Sequence, residues 1–155
     1  MKKRGVKDVR WVAVSGGFDP IHIGHVRMFK AARKLGDKLV VILNNDNWLH
    51  HKKGYAFMPV DERKELILSF PFVDKVVITD HVKNESDSSV VRTLKKINPA
   101  IFANGGDRKP DGDPIPEVEL CKKMGIKAVY NVGRGGKVQS SSLMVDAAAK
   151  SLKTK

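Results

Sequence analysis

Only one of the 155 residues is cysteine, Cys121, so no disulfide can close within the chain. That fits a reducing compartment, and the cytoplasm is the expected location. No apolar run approaches the ~20 residues that a membrane span requires. The basic start Met1-Lys-Lys-Arg-Gly leads into an apolar stretch after Trp11, but a Gly-Gly-Phe-Asp turn interrupts it too soon for a signal peptide. Aromatic residues make up 6% of the chain, and no stacking surface for single-stranded nucleic acid is evident. Acidic residues are also in deficit, 17 against 29 Lys and Arg, which leaves a formal charge of +12. Such a charge attracts polyanions: nucleic acid, an anionic membrane surface or phosphorylated small molecules. Basic residues are scattered over both ends and many helices, which argues against nucleic acid as the main partner.

What is present is ordinary for a globular protein: 41% hydrophobic and 30% charged residues. The length predicts a single domain over residues 1–155, with a core about 11–150 and basic ends that fray. Apolar, β-branched runs alternate with helical stretches almost throughout. Strands are predicted over 11–15, 38–44, 75–79, 100–103 and 127–132, and helices over 25–35, 61–70, 88–97, 117–124 and 140–152. Gly36 and Gly125 read as helix stops, and Cys121 as a buried small residue on an amphipathic helix. Residues 45–59 and 108–116 lack periodicity and read as long, functional loops. Strands alternating with helices imply βαβ crossovers. The fold class is therefore α/β: a Rossmann-like, doubly wound, mostly parallel five-stranded sheet with helices on both faces.

In such a sheet ligands bind beyond the carboxyl ends of the strands, where strand order reverses. The segment after the first strand is Ser15-Gly-Gly-Phe-Asp-Pro-Ile-His-Ile-Gly-His25. Gly16 and Gly17 allow a ligand close to the backbone. His22 and His25 lie where the next helix begins, and a helix N-terminus already favours anions. Two imidazoles there can hydrogen-bond phosphate oxygens. Metal ligation by the pair is the weaker alternative, because no third His or Cys lies nearby to complete a closed site.

The string Gly16-Gly-Phe-Asp-Pro-Ile-His-Ile-Gly-His25 closely resembles the signature of the cytidylyltransferase-like nucleotidyltransferases, a (Gly/Thr)-Phe-Asp turn followed by His-x-Gly-His. Further segments are similar in the same order to glycerol-3-phosphate cytidylyltransferases and heptose-phosphate adenylyltransferases. They are residues 32–41, Lys52-Lys53 with the helix around Arg63, Phe72-Val-Asp-Lys-Val, Asn104-Gly-Gly-Asp-Arg108, and Gln139-Ser-Ser-Ser142. The resemblance spans about residues 11–150.

The resemblance implies transfer of a nucleoside monophosphate, CMP favoured, from a nucleoside triphosphate to a small phosphorylated alcohol or sugar phosphate, with release of pyrophosphate; the alternative is transfer of AMP from ATP to a heptose-like or pantetheine-like phosphate. Mg²⁺ is implied as cofactor, carried mainly by the nucleotide phosphates, and a homodimer as the assembly. Residue by residue, it implies that Gly16, Gly17, Phe18, Asp19, His22, His25, Gly106, Asp107, Arg108, Ser140, Ser141 and Ser142 bind the nucleotide. Lys52, Lys53 and Arg63 would bind the acceptor, with His22, His25 and Lys53 catalytic. Simpler roles stand beside these: solvated charges for the lysines and Arg63, a turn-stabilising carboxylate for Asp107, helix capping for the serines. The run Gly133-Arg-Gly-Gly-Lys-Val-Gln-Ser displaces Arg134 by one residue from the cytidylyltransferase pattern, and Asn104-Gly-Gly-Asp looks more like the heptose-phosphate enzymes. Neither a phosphate-loop spacing nor a Gly-x-Ser-x-Gly elbow is present.

Overall fold

The computed structural model describes residues 8–105, 116–133 and 141–153. Within them the chain order is β1 (Trp11–Gly16), α1 (Ile23–Arg33), β2 (Lys38–Leu43), α2 (Asp46–Lys53), α3 (Val60–Leu68), β3 (Lys75–Ile78), α4 (Val91–Ile97), β4 (Ile101–Ala103), α5 (Pro116–Met124), β5 (Lys127–Val129) and α6 (Ser141–Lys153). The five strands form one sheet in the order β3-β2-β1-β4-β5 with every pairing parallel. Consecutive strands first step from β1 outward to β3, and the chain then returns to β4 on the other side of β1. The order therefore reverses between β1 and β4.

Alternation along the strands builds two apolar layers. Val12, Val14, Leu39, Val41 and Leu43 join Phe29 and Ala32 of α1 and Ile67 of α3 in one layer. Ala13, Val40, Ile42 and Phe102 join Leu94 of α4 and Cys121 of α5 in the other. β2 is buried on both faces from Leu39 onward, as its unbroken apolar run requires. Burial also pushes the Cys121 thiol pKa up, with Glu117 adding to the effect, so this cysteine packs as a small apolar group.

Two local readings are corrected. The stretch 45–59, predicted as a loop, holds helix α2. Asn45 caps it by accepting from Trp48 N at 3.0 Å, and Gly54 ends it at φ 84°. Only Leu49 of this helix is buried, so it has no apolar stripe for periodicity to detect. Gly36 does not end α1, because Lys34 is the cap. It is a close-approach glycine: a Cβ there would lie 2.7 Å from the carbonyl oxygen of Arg10. No helix among the described residues is long and apolar enough to cross a membrane.

Candidate active site

The turn that leaves β1 is shaped by its own side chains. Phe18 adopts φ 49°, and its ring folds back over Gly16, where a Cβ would sit 2.8 Å from the ring. The ring is 5% exposed and meets the rings of Phe29 and His25 edge-on at 5.0 and 4.9 Å. Asp19 is 1% exposed. Its carboxylate accepts from the backbone N–H groups of Phe57 and Met58 at 2.5 and 2.7 Å. Gly17 lies against Trp48 and Leu49 of α2. The side chains of Phe18 and Asp19 are thus turned into the protein rather than toward a nucleotide. They fix the turn and hang the 57–58 segment from it.

The two histidines start α1 and also cap it. His22 is the N-cap residue, and its Nδ1 accepts from Gly24 N at 3.1 Å; the Nδ1 of His25 accepts from His22 N at 3.2 Å. The rings stack with centroids 3.7 Å apart and 21° between planes. A backbone N–H aimed at Nδ1 requires a lone pair there, so the ring proton of each sits on Nε2. Both side chains are therefore neutral Nε2–H donors in this arrangement. Electrostatics agrees for His25, whose pKa is lowered to about 3, first by burial, then by the repulsion that a proton on His22 would add, then by the charge of Lys53.

Lys53 occupies the last turn of α2, half-buried, and its charge is felt at His25; Lys52 is exposed. The structure therefore brings His22, His25 and Lys53 together and leaves Lys52 outside. α2 is held in place from several sides. The Nδ2 of Asn45 donates to the carbonyls of Thr79 and His81 at 3.1 and 2.8 Å, and Trp48 Nε1 donates to Ser88 O at 2.8 Å.

Arg63 differs most from its expected role. It is 1% exposed. Nε donates to Met58 O at 2.9 Å, Nη1 to Gly17 O and Asn44 O at 2.8 and 2.7 Å, and Nη2 to Asp46 Oδ1 at 2.6 Å. A guanidinium so engaged is not offered to an acceptor phosphate. It bolts the β1 turn, the end of β2, the start of α2 and the 58 segment to one another. The signal was available in part: an arginine one turn into a helix, flanked by Val60 and Ile67, lies on its apolar face.

Other chain segments close on the same point. Ser141, at the start of α6, donates its hydroxyl to Pro20 O at 2.7 Å, and Ser142 is exposed. Gly133, at φ 100°, would place a Cβ 3.2 Å from Met28 Cα, and Gly105 one 3.3 Å from Met28 Sδ. The turns after β4 and β5 thus close on Met28 in the middle of α1, and the first turn of α6 on Pro20 just before that helix, beside the reversal of strand order. Gly106, Asp107, Arg108, Arg134 and Ser140 lie outside the described residues. Among the described residues no three His, Cys, Asp or Glu side chains group to hold a metal.

The cytidylyltransferase-like family matches residues 13–126. The chain belongs to that family. Within it, the chain is 33% identical over 117 residues to the FAD synthase of Pyrococcus abyssi, covering 75% of this chain and 74% of that protein. It is 37% identical over 129 residues to the FAD synthase of Thermococcus onnurineus, covering 83% and 81%. It is also 36% identical over 120 residues to the bifunctional protein HldE of Streptomyces coelicolor, covering 76% of this chain and 24% of that protein. Among solved structures, a lipopolysaccharide core biosynthesis protein from Thermoplasma volcanium superposes with a TM-score of 0.64 at 28% identity, covering 79% of this chain and 95% of that one. A cytidylyltransferase-like protein is a nucleotidyltransferase, and the site has matching equipment: neutral N–H donors, a cation and the N-terminus of α1. Such groups stabilise charge on phosphoryl oxygens without forming a bond to them.

Proposed function

We propose that this protein is an adenylyltransferase that moves AMP from ATP to the phosphate of a small polyol phosphate and releases pyrophosphate. The observation that carries the reading is the stacked pair of neutral imidazoles at the N-terminus of α1, with the Lys53 ammonium acting on it, beside the reversal of strand order. ATP is favoured by the FAD synthase relatives, since joining flavin mononucleotide into FAD requires an adenylyl group. CMP transfer from CTP is the second reading, favoured by the family's description.

An oxygen of the acceptor phosphate attacks the α-phosphorus, the bond from that phosphorus to the bridging oxygen breaks, and pyrophosphate leaves. Charge builds on the α-phosphoryl oxygens and on the leaving group. The Nε2–H groups of His22 and His25 donate to those oxygens, and Lys53 supplies positive charge. Neither imidazole offers a lone pair for general-base catalysis, because each Nδ1 accepts from the backbone. A phosphate nucleophile is already ionised near pH 7 and needs no base, whereas an alcohol does. This favours a phosphate as the attacking group.

Ser140, Ser141 and Ser142 are assigned to the β- and γ-phosphates, Ser141 through its backbone N–H because its hydroxyl donates to Pro20 O, and Gly106, Asp107 and Arg108 to the nucleotide beyond β4. Mg²⁺ belongs with the ATP phosphates, whose charge it neutralises. The Asp19 carboxylate is taken up by two backbone N–H groups, and Asp46 is held by Arg63, so the ion would be held mainly by the phosphates, where it would neutralise their charge. The reading includes a homodimer, which sedimentation at micromolar concentration tests. Pyrophosphate release with each of the four nucleoside triphosphates, Mg²⁺ and flavin mononucleotide, heptose 1-phosphate or glycerol 3-phosphate tests the reaction. The fastest release is expected with ATP; no release from any pair, beside an active control enzyme, contradicts it.

A further inference from the structure

We infer that Asn44 determines acceptor specificity by hydrogen-bonding a hydroxyl of the polyol next to the acceptor's phosphate; this rests on the function proposed above. Asn44 follows the last residue of β2 and is 3% exposed. Its backbone is satisfied, with N–H donating to Gly16 O at 2.9 Å and C=O accepting from Arg63 Nη1 at 2.7 Å. Its side-chain oxygen is not, because Oδ1 is buried without any hydrogen-bond partner. The next residue makes the contrast plain: the side chain of Asn45 caps α2 and reaches two carbonyls near β3.

A buried amide oxygen without a partner destabilises a fold, and such groups are few in native proteins. Its position suggests what completes it. Val40 and Ile42 face the α4/α5 layer, so the period of two puts Asn44 on that same face. Ser15, next to last in β1, and Asn104, just past β4, lie on that face by the same alternation, after Ala13 and Phe102. The apolar layer therefore finishes in a polar rim of one hydroxyl and two carboxamides. With the nucleotide at the reversal between β1 and β4, Asn44 lies on the opposite flank of β1, where β2 leads into α2 and Lys53. A carboxamide both donates and accepts without charge, and rotation about χ2 exchanges its two ends. That matches a hydroxyl and not a phosphate, which Lys53 serves.

Asn44→Leu separates this role from a structural one. Leucine keeps the number and branching of the side-chain heavy atoms and removes the unpaired oxygen, so the variant is expected to melt about 2–4 °C above the wild type. Its KM for flavin mononucleotide or heptose 1-phosphate, whichever the wild type uses, is expected to rise at least tenfold, with KM for ATP within twofold. Asn44→Ser, which keeps a hydrogen-bonding group, is expected to recover part of that loss, and it decides the question if the leucine variant fails to fold. A lower melting temperature in an Asn44→Leu variant that still folds, as when an internal water pairs the amide, overturns the inference. So does an unchanged acceptor KM, or a rise confined to ATP. A wild type that transfers to neither acceptor removes the functional reading as well, whereas an active wild type matched by both variants removes this inference alone.

Discussion

His25 is held neutral first by burial, then by the repulsion that a proton on His22 would add, then by the charge of Lys53, and its Nδ1 is committed to the backbone. The unfolded imidazole titrates near 6.5 and the folded one at about 3. As pH falls from 6.5 toward 3 the unfolded chain takes up a proton that the folded chain refuses, so His25 makes the protein progressively less stable in that window. Urea denaturation at pH 7 and pH 4.5 checks this. The wild type should lose about 2–3 kcal/mol more than His25→Ala over that interval. The same substitution should lower kcat about 10²–10³-fold, as loss of one charge-stabilising donor does. Wild-type turnover in His25→Ala contradicts the assigned role.

At the same scale, Arg63 tests whether a buried cation builds the site. Arg63→Ala leaves Asp46 and three carbonyls without their donor. The expected cost is about 3 kcal/mol by chemical denaturation. Sequence placed Arg63 on the correct helix but gave it to the substrate, because a guanidinium that binds phosphate and one that binds carbonyls look alike in one dimension. The histidines were legible for the opposite reason: their spacing at the start of a helix is itself the geometry that makes them cap and stack.

Among elements, α2 is the one the sequence concealed. Its residues Asp46-Asn-Trp-Leu-His-His-Lys-Lys carry one buried side chain, so the usual 3.6-residue apolar rhythm is missing. The marks that were present are Asn45 before it, Asp46 in its first turn, basic residues in its last, and Gly54 after it. Helical geometry then decides between the two lysines that the sequence left equivalent, since consecutive positions are turned about 100° apart. Lys53 acts on His25, and Lys52 faces solvent. Steady-state kinetics should find kcat lowered at least 30-fold in Lys53→Ala and less than threefold in Lys52→Ala. Equal losses in the two variants would contradict the placement.

For the whole molecule, the class, the five strands and their parallel direction were readable because β-branched runs alternate with helical stretches. Strand order was not, since no local pattern says which side of β1 the chain returns to. That order, β3-β2-β1-β4-β5, is what brings the Gly16–His25 turn, the end of α2 and the start of α6 to one rim. The central claim is that two neutral imidazoles there donate Nε2–H to the polyphosphate of a nucleotide. Side-chain ¹⁵N spectra of the histidines during titration with α,β-methylene-ATP and Mg²⁺ test it directly. The account predicts Nε2–H tautomers for His22 and His25 in the free protein, and a shift of both Nε2–H signals on saturation with neither ring gaining a second proton. Signals that stay in place at saturation, or an Nδ1–H tautomer at either residue, would contradict it.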